Sequence, residues 1–384
     1  MIKPHDIIKE CVHLALLGKG YTKTNPIVGA IIVKDGRIIG KGYHEVYGGA
    51  HAEINAIKDA IDSVVGADLY VTLEPCSIHG KTPPCVDAII KSGIKRVFIG
   101  VVDPNPEVAG NGIKKLIEAG LEVYVGYNEF LCASIIEDFT KGVLHKEPYF
   151  TLKLAQSLDG KIATKNGDSK WISSESSRAY VHYLRSISDA VLVGVNTVNK
   201  DDSKLDVRLI KSDKNPLKIV LDPNLNININ SYLCKNYPEK LILFVKSIKN
   251  KEKYNKLLDK GVQIVVDESD DKLINLNFLA NYLYNNKILN VLVEGGSETA
   301  GIFLDYNKID KVLFFISPKI IGGRNAITSI GGEGVNFVNE SKEVKVSEVK
   351  YFEKDIFIEG KIKDYTDYVI KLTDKVRNRC LQGL

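Results

Sequence analysis

Apolar positions along the first third of the chain recur with two alternating periods. Residues 6–17 carry apolar side chains at helical spacing between a capping Asp6 and a stopping Gly18, which predicts an amphipathic helix. Two β-rich runs, 27–34 and 37–43, flank Asp35-Gly36, the dipeptide of a tight hairpin turn. A helix follows over 53–61, behind the Gly48-Gly49 loop, and then a strand over 67–73. Thr82 as cap, Pro83 in the first helical position and Gly93 as stop predict the next helix. A strand over 96–101, a helix over 113–119, a strand over 121–125 and a longer helix over 130–144 complete the region. Strands alternating with helices in this way predict a three-layer α/β domain.

Polar residues and Pro148 interrupt the pattern at 145–148, where one domain gives way to another. Beyond it a strand at 149–155 leads into segments 157–161 and 171–173, a long connection poor in apolar residues of the kind that carries sites. A helix is read at 177–188. Strands are expected at 189–195, 217–221, 241–245, 262–266 and 288–293, with a helix at 272–284. The last of these strands runs through Glu294 into Gly295-Gly296 and then a helix, so free backbone N–H groups and a positive dipole end face whatever binds there. Phosphate is the natural ligand, although GxGxxG is absent. Strands at 312–316, 343–349 and 356–362 close the pattern. The division is therefore 1–145, 149–363 and an unassigned tail, 364–384, whose Val369, Leu372 and Val376 spacing allows a helix that is either a solvated tail or an interface element.

Composition narrows the class. A chain of 384 residues with 44% hydrophobic residues is long enough for two cores. A net charge of +4 without a basic tract argues against a nucleic-acid protein and does not oppose phosphorylated substrates. No apolar run reaches the ~18 residues of a membrane span and the first residues do not read as a signal peptide, so a cytoplasmic enzyme is expected.

The chemistry concentrates between His51 and Cys85. His51, Cys76 and Cys85 supply one imidazole and two thiolates, a set that suits tetrahedral Zn2+ with its fourth position open to water. Bound zinc lowers the pKa of its water to about 7, and a carboxylate that is not a ligand, Glu53, is placed to carry protons. His-x-Glu followed by Pro-Cys and a second Cys is the zinc deaminase signature, here with eight residues between the cysteines instead of two. His51 and Glu53 are two apart and share a site only if His51 sits at an irregular helix start. A structural zinc would need a fourth protein ligand, for which His79 is the spare candidate; it reads as a loop residue near the mouth.

Pro-Cys-Ser-x-x-Gly-x-Thr-Pro-Pro-Cys from Pro75, with Asn25-Pro26-x-Val28-Gly29 and Asp103-Pro-Asn-Pro-x-Val-Ala-Gly, resembles the deaminase half of the bifunctional RibD family of riboflavin biosynthesis. Leu-Lys-x-Ala-x-Ser-Leu-Asp-Gly from Leu152 resembles its reductase half, and the likeness extends to about Lys363. The resemblance implies a cytidine-deaminase-like domain followed by a dihydrofolate-reductase-like domain that uses NADPH. Carried over by position, cofactor contacts fall on Ala155, Trp171, Thr197, Asp201 and the turn formed by Gly296, Ser297, Glu298, Thr299, Ala300, Gly301 and Ile302. Substrate contacts fall on Ser169, Arg185, Leu205, Arg208 and Glu294, with Asn25 and the Asp103 loop bordering the pyrimidine; on the residues alone Asp103 reads equally as a turn residue, and Lys81 either approaches the substrate phosphate or is a solvated loop lysine. Two arginines can clamp a phosphate, and Glu294 can accept from sugar hydroxyls. Ser203 stands where the family usually has Pro, which leaves that turn open.

The reading is a two-step enzyme: deamination of a phosphorylated diaminopyrimidine, then NADPH-dependent reduction of its ribosyl group to ribityl. Lys153 and Asp201 are both candidates for the proton that accompanies the hydride. The partner is a small molecule, not nucleic acid or membrane, and a homodimer or tetramer is consistent with the family. A nucleic-acid base deaminase, a zinc-stabilised binding module and a deaminase with a silent second domain are the alternatives.

Overall fold

Asp35 and Gly36 both take positive φ (50° and 73°) and join two antiparallel strands, β1 (Gly29–Lys34) and β2 (Arg37–Tyr43). This is the conformation that matches hairpin twist. With β3 (Asp68–Leu73), β4 (Arg96–Val101) and β5 (Glu122–Val125) they form a sheet of order β2-β1-β3-β4-β5. The β1–β2 and β1–β3 pairs are antiparallel; β3–β4 and β4–β5 are parallel. Successive side chains of β1 feed opposite cores. Ile31 and Val33 meet Ile8, Val12 and Phe98 on one face, while Ala30 and Ile32 meet Ala56, Val86 and Ile113 on the other. That explains why the strand reads as an unbroken apolar run.

The computed structural model describes residues 3–80 and 82–381 and divides into two units. The first takes in the chain up to Lys146 together with the segment from Asp364 onward, and the second is Glu147–Lys363. The C-terminal segment is a helix, Tyr365–Leu381, packed within the first unit. Several helix boundaries shift from expectation, among them 272–284, which is Leu276–Asn285, and two of the differences have a local account. The helix expected from Pro83 starts at Cys85: Pro83 precedes Pro84 and is thereby held out of the helical region, and Pro84 is the extended N-cap (φ −57°, ψ 134°). The long helix expected over 130–144 is broken into Glu129–Ser134 and Glu137–His145, which lets the adjacent Ile135 and Ile136 both reach the core.

In the second unit the strands are β6 (Tyr149–Ser157), β7 (Lys161–Ala163), β8 (Ala190–Gly194), β9 (Leu217–Leu221), β10 (Leu241–Val245), β11 (Gln263–Val266), β12 (Asn290–Val293), β13 (Lys311–Ser317), β14 (Ile327–Thr328), β15 (Lys345–Phe352) and β16 (Asp355–Lys361). Among the described residues the main sheet runs β11-β10-β9-β8-β12-β6-β13-β16-β15. It is parallel from β11 to β13 and antiparallel over the last two strands. Parallel strands covered on both faces by clusters around Phe150 and Leu279 and around Val193 and Leu243 account for the continuous apolar runs. The connection after β6 is not strandless: β7 pairs with β14. The expected strand 189–195 stops at Gly194, and Val195–Asp201 is a helix.

Candidate active sites

Gly42 sits under the helix Ala52–Asp59 so closely that a Cβ would lie 2.3 Å from the Ala56 nitrogen. This close approach seats the helix on β2 and fixes its first turn. His51 is the N-cap, with extended backbone (φ −77°, ψ 166°), and Glu53 follows in the first turn with 3% of its surface exposed. The irregular start brings both side chains to one site. His51 Nδ1 lies 3.5 Å from Cys76 Sγ and 3.2 Å from Cys85 Sγ, and its Nε2 is 3.3 Å from Thr82 Oγ1. All three candidate ligand atoms fall within 4.8 Å of one another. Around a tetrahedral zinc, nitrogen and sulfur ligands are about 3.5 Å apart, so the two His51–sulfur distances suit that ion.

Burial pushes Glu53 up to about 7, with the Cys76 thiolate adding to the effect. Cys76 is held down at about 4 by hydrogen bonding from Cys85, and by His51; it also accepts the Cys85 backbone N–H at 3.3 Å. Cys85, sharing that proton and buried, is pushed up. The thiolate favoured in this pair is therefore Cys76, although Cys85 opens the helix. His51, Glu53 and Cys76 line a cavity of about 220 Å³ that also takes in Asn25, His44, Asp103 and Asn105. Asn25 Nδ2 lies 3.1 Å from His44 Nε2, while His44 Nδ1 lies 3.0 Å from the Ala50 carbonyl. A neutral His44 donating to Ala50 and accepting from Asn25 satisfies both contacts, and burial lowers its pKa accordingly. His79 is exposed, and Lys81 lies outside the described residues.

In the second unit a cavity of about 560 Å³ is lined by one face of the helix Glu175–Ser186. Arg178, Val181, His182 and Arg185 fall at i, i+3, i+4 and i+7 on that face. Ser174 caps the helix, and Asp355 accepts from Ser174 N (2.6 Å) and Ser177 Oγ (2.7 Å). Arg185 donates from Nε and Nη2 to Glu294 (2.6 and 2.9 Å) and from Nη1 to the Asp206 carbonyl (3.0 Å). Lys153 Nζ stands 3.5 Å from the same carboxylate. Burial pushes Glu294 up, but Arg185 and Lys153 outweigh it and hold the group at about 2. Arg208 pairs with Asp206, and its backbone N–H donates to His182 Nδ1 at 3.1 Å.

Of the residues singled out from sequence in this unit, Ala155, Ser169, Trp171, Arg185, Thr197, Asp201, Arg208, Glu294 and Gly296 line the cavity. Leu205 does not: it is buried in the cluster around Val193. Ser297, Glu298, Thr299, Ala300, Gly301 and Ile302 form the helix behind the turn, with Ala300 in the core and Glu298 exposed. Arg185 and Arg208 do not stand as a free phosphate clamp, because each is engaged by a carboxylate of the chain, and Glu294 is committed to Arg185 and Lys153. The turn at Asp202-Ser203 is closed by Asp202 in the left-handed region (φ 44°), which accepts from Tyr232 N at 2.7 Å. Sequence reading missed His44, which lies just past a strand end without a motif around it. It missed Glu74 as well, which accepts backbone N–H groups from Asp103, Gly110, Gly112 and Ile113. A lone carboxylate between an apolar strand and Pro-Cys was the available signal.

Two family models match the chain: the cytidine and deoxycytidylate deaminase zinc-binding region over residues 1–101, and the RibD C-terminal domain over residues 148–357. A deaminase unit thus precedes a reductase unit in one polypeptide. Riboflavin biosynthesis protein RibD of Aquifex aeolicus is 44% identical over 351 residues, covering 91% of this chain and 96% of that protein. The Bacillus amyloliquefaciens protein of the same name is 40% identical, covering 93% and 95%. A solved Thermotoga maritima structure, named as a diaminohydroxyphosphoribosylaminopyrimidine deaminase/5-amino-6-(5-phosphoribosylamino)uracil reductase, superposes with a TM-score of 0.83 at 38% identity, covering 93% of this chain and 98% of that one. Acinetobacter baumannii RibD gives 0.82 at 32% identity, with the same coverage. The chain belongs to the RibD family and is a bifunctional deaminase/reductase of riboflavin biosynthesis. Among the described residues no helix is long and apolar enough to cross a membrane.

Proposed function

We propose that the first unit deaminates 2,5-diamino-6-ribosylamino-4(3H)-pyrimidinone 5′-phosphate and that the second reduces the ribosyl group of the product to ribityl with NADPH. The carrying observation is the His51, Cys76 and Cys85 triangle beside a fully buried Glu53. Those three residues would hold zinc, which when bound supplies an acidified water and polarises the reacting carbon. Glu53, poised near neutrality by burial, takes a proton at its carboxylate and returns it to the departing amine. Thr82 fixes the His51 ring so that Nδ1 faces the sulfurs. Asn25 and His44, already hydrogen-bonded to each other, present a fixed polar edge to the pyrimidine ring.

The second cavity fits a dinucleotide. Gly295-Gly296 leads into the helix Ser297–Asp305, whose N-cap offers no side-chain bond, so its N–H groups are open to a phosphate. A Cβ on Gly296 would project toward Thr197 Oγ1, 3.7 Å away, into the space both residues line. NADPH, when bound there, would supply the hydride. Lys153 is favoured over Asp201 as source of the proton for the opening sugar ring: it is an ammonium lining the cavity, pushed down by burial and oriented by Glu294. The reading is completed by a cytoplasmic location, which the free thiols of Cys11, Cys132 and Cys234 support, and by a homo-oligomer, which family membership supports.

The test is NADPH oxidation by the zinc-loaded protein given either the diamino substrate or its deaminated product. Wild type should oxidise NADPH with both, and Glu53→Gln only with the second. NADPH alone should quench the fluorescence of Trp171, the single tryptophan, which stacks on Arg178 at 4.6 Å. Absence of both quenching and oxidation would remove the reductase assignment of this cavity.

A further inference from the structure

We propose that the C-terminal helix Tyr365–Leu381 holds the substrate-facing wall of the deaminase pocket, acting through Thr373 as a positioning residue. The proposal rests on the reading of the His51–Glu53 cavity as the deaminase site. The helix lies beyond the residues matched by the reductase-domain model, which end at 357. Its apolar residues Val369, Leu372 and Val376 fall at i, i+3 and i+7; Val369 packs with Phe98 and Val101, while Leu372 and Val376 pack with Ile99, Val102 and Ile113. Side-chain bonds tie both ends down. Thr366 Oγ1 donates to Glu137 (2.9 Å), and Arg377 Nη1 donates to Glu129 (2.6 Å).

Thr373 sits at i+4 from Val369 on this buried face and is fully buried itself. Its Oγ1 donates to the Val369 carbonyl (2.8 Å) and accepts the backbone N–H of Val102 (3.1 Å). Val102 is the residue just past β4, whose pairing with β3 ends at Val101. Its buried N–H requires an acceptor, and the helix provides it. The next residue is Asp103, which lines the pocket with Asn105 and Val108. Glu74 anchors this loop from the other side by accepting from Asp103 N (3.2 Å) and Gly110 N (2.9 Å). The pocket wall is therefore suspended between Glu74, two residues from Cys76, and Thr373, more than two hundred residues away in sequence. A segment that makes no contact with the reacting atoms sets where Asp103 and Asn105 stand.

Thr373→Val keeps the shape and removes the acceptor, whereas Thr373→Ser keeps the hydroxyl. In the zinc-loaded full chain, Thr373→Val should raise the deaminase KM about fivefold, the worth of one hydrogen bond, with kcat nearly unchanged. Thr373→Ser should restore KM, and reductase activity on deaminated substrate should be the same in all three proteins. An unchanged KM in Thr373→Val, or an equal rise in Thr373→Ser, would overturn the proposal. So would a matching fall in reductase activity, which would indicate general destabilisation. Glu53→Gln is run in parallel: if it still deaminates, the cavity itself has been misassigned and the proposal falls with it. If it is inactive while Thr373→Val matches wild type, only the role of the helix falls.

Discussion

Glu53 and Glu294 are the same side chain in comparably buried settings, 3% exposed for Glu53 and 7% for the Glu294 side chain, yet the protein holds them in opposite states. Among the described residues no cationic side chain is bonded to Glu53; burial pushes it up to about 7, and the neighbouring Cys76 thiolate pushes the same way. Glu294 pays the same desolvation, but a two-point bond from Arg185 and the nearby Lys153 bring it to about 2. Burial alone therefore does not decide the state of a carboxyl; the counter-charge supplied with it does. The consequence is a division of labour. A carboxyl balanced near neutrality can give and take a proton, whereas one locked as an anion can only orient its neighbours, here the ammonium of Lys153.

The largest effect is expected at Glu53. Glu53→Gln should lower deamination by about 10²–10⁴-fold, the usual share of a general acid–base, and leave reduction of deaminated substrate intact. Because a costly buried carboxyl is removed, urea unfolding should show no loss of stability. At Glu294 the balance is reversed. Glu294→Gln leaves Arg185 and Lys153 buried without their anion and should cost about 3–5 kcal/mol in the same unfolding experiment, besides impairing the reductase. Equal stability losses in the two variants would erase the distinction between a poised and a locked carboxyl.

This contrast was only half legible in the sequence. The zinc triangle and Glu53 could be read because their spacing is local: His51 and Glu53 share a helix start, and Cys76 and Cys85 flank a single loop. The strands and the α/β class were legible for a similar reason, since period and turn residues are short-range signals. The Arg185–Glu294 pair joins positions 109 apart, so sequence offered both residues but not their pairing, and a substrate role seemed open to each. The same holds for His44 with Asn25, and for Glu74, whose four backbone partners lie 29 to 39 residues downstream. The unassigned C-terminal segment showed its helical spacing, but nothing local says that its apolar face returns to the first unit.

The smallest expected effect is a difference in how the two units respond to pH. Glu53, Glu74 and Asp103 in the first unit are all pushed up to about 7, in each case by burial first. The folded form binds these protons more tightly than the unfolded chain, so their contribution is fully present below the ordinary carboxylate range and is lost as pH rises through about 7. In the second unit His182 is lowered to about 4 by burial, with Arg185 and Arg208 adding to it. There the unfolded chain binds the proton first, so the contribution is present above the ordinary histidine value and fades as pH falls toward about 4. Glu294, at about 2, adds no slope near neutrality. In the metal-free protein, raising pH from about 6 to about 8 should thus remove the contribution of these carboxyls to the first unit and slightly strengthen the second. Urea midpoints followed by hydrogen exchange of β4 and β12 peptides measure the two separately. Glu74→Gln should flatten the fall in the first unit and His182→Gln the rise in the second; parallel slopes in both units would show that the carboxyls of the first unit are as firmly ionised as Glu294.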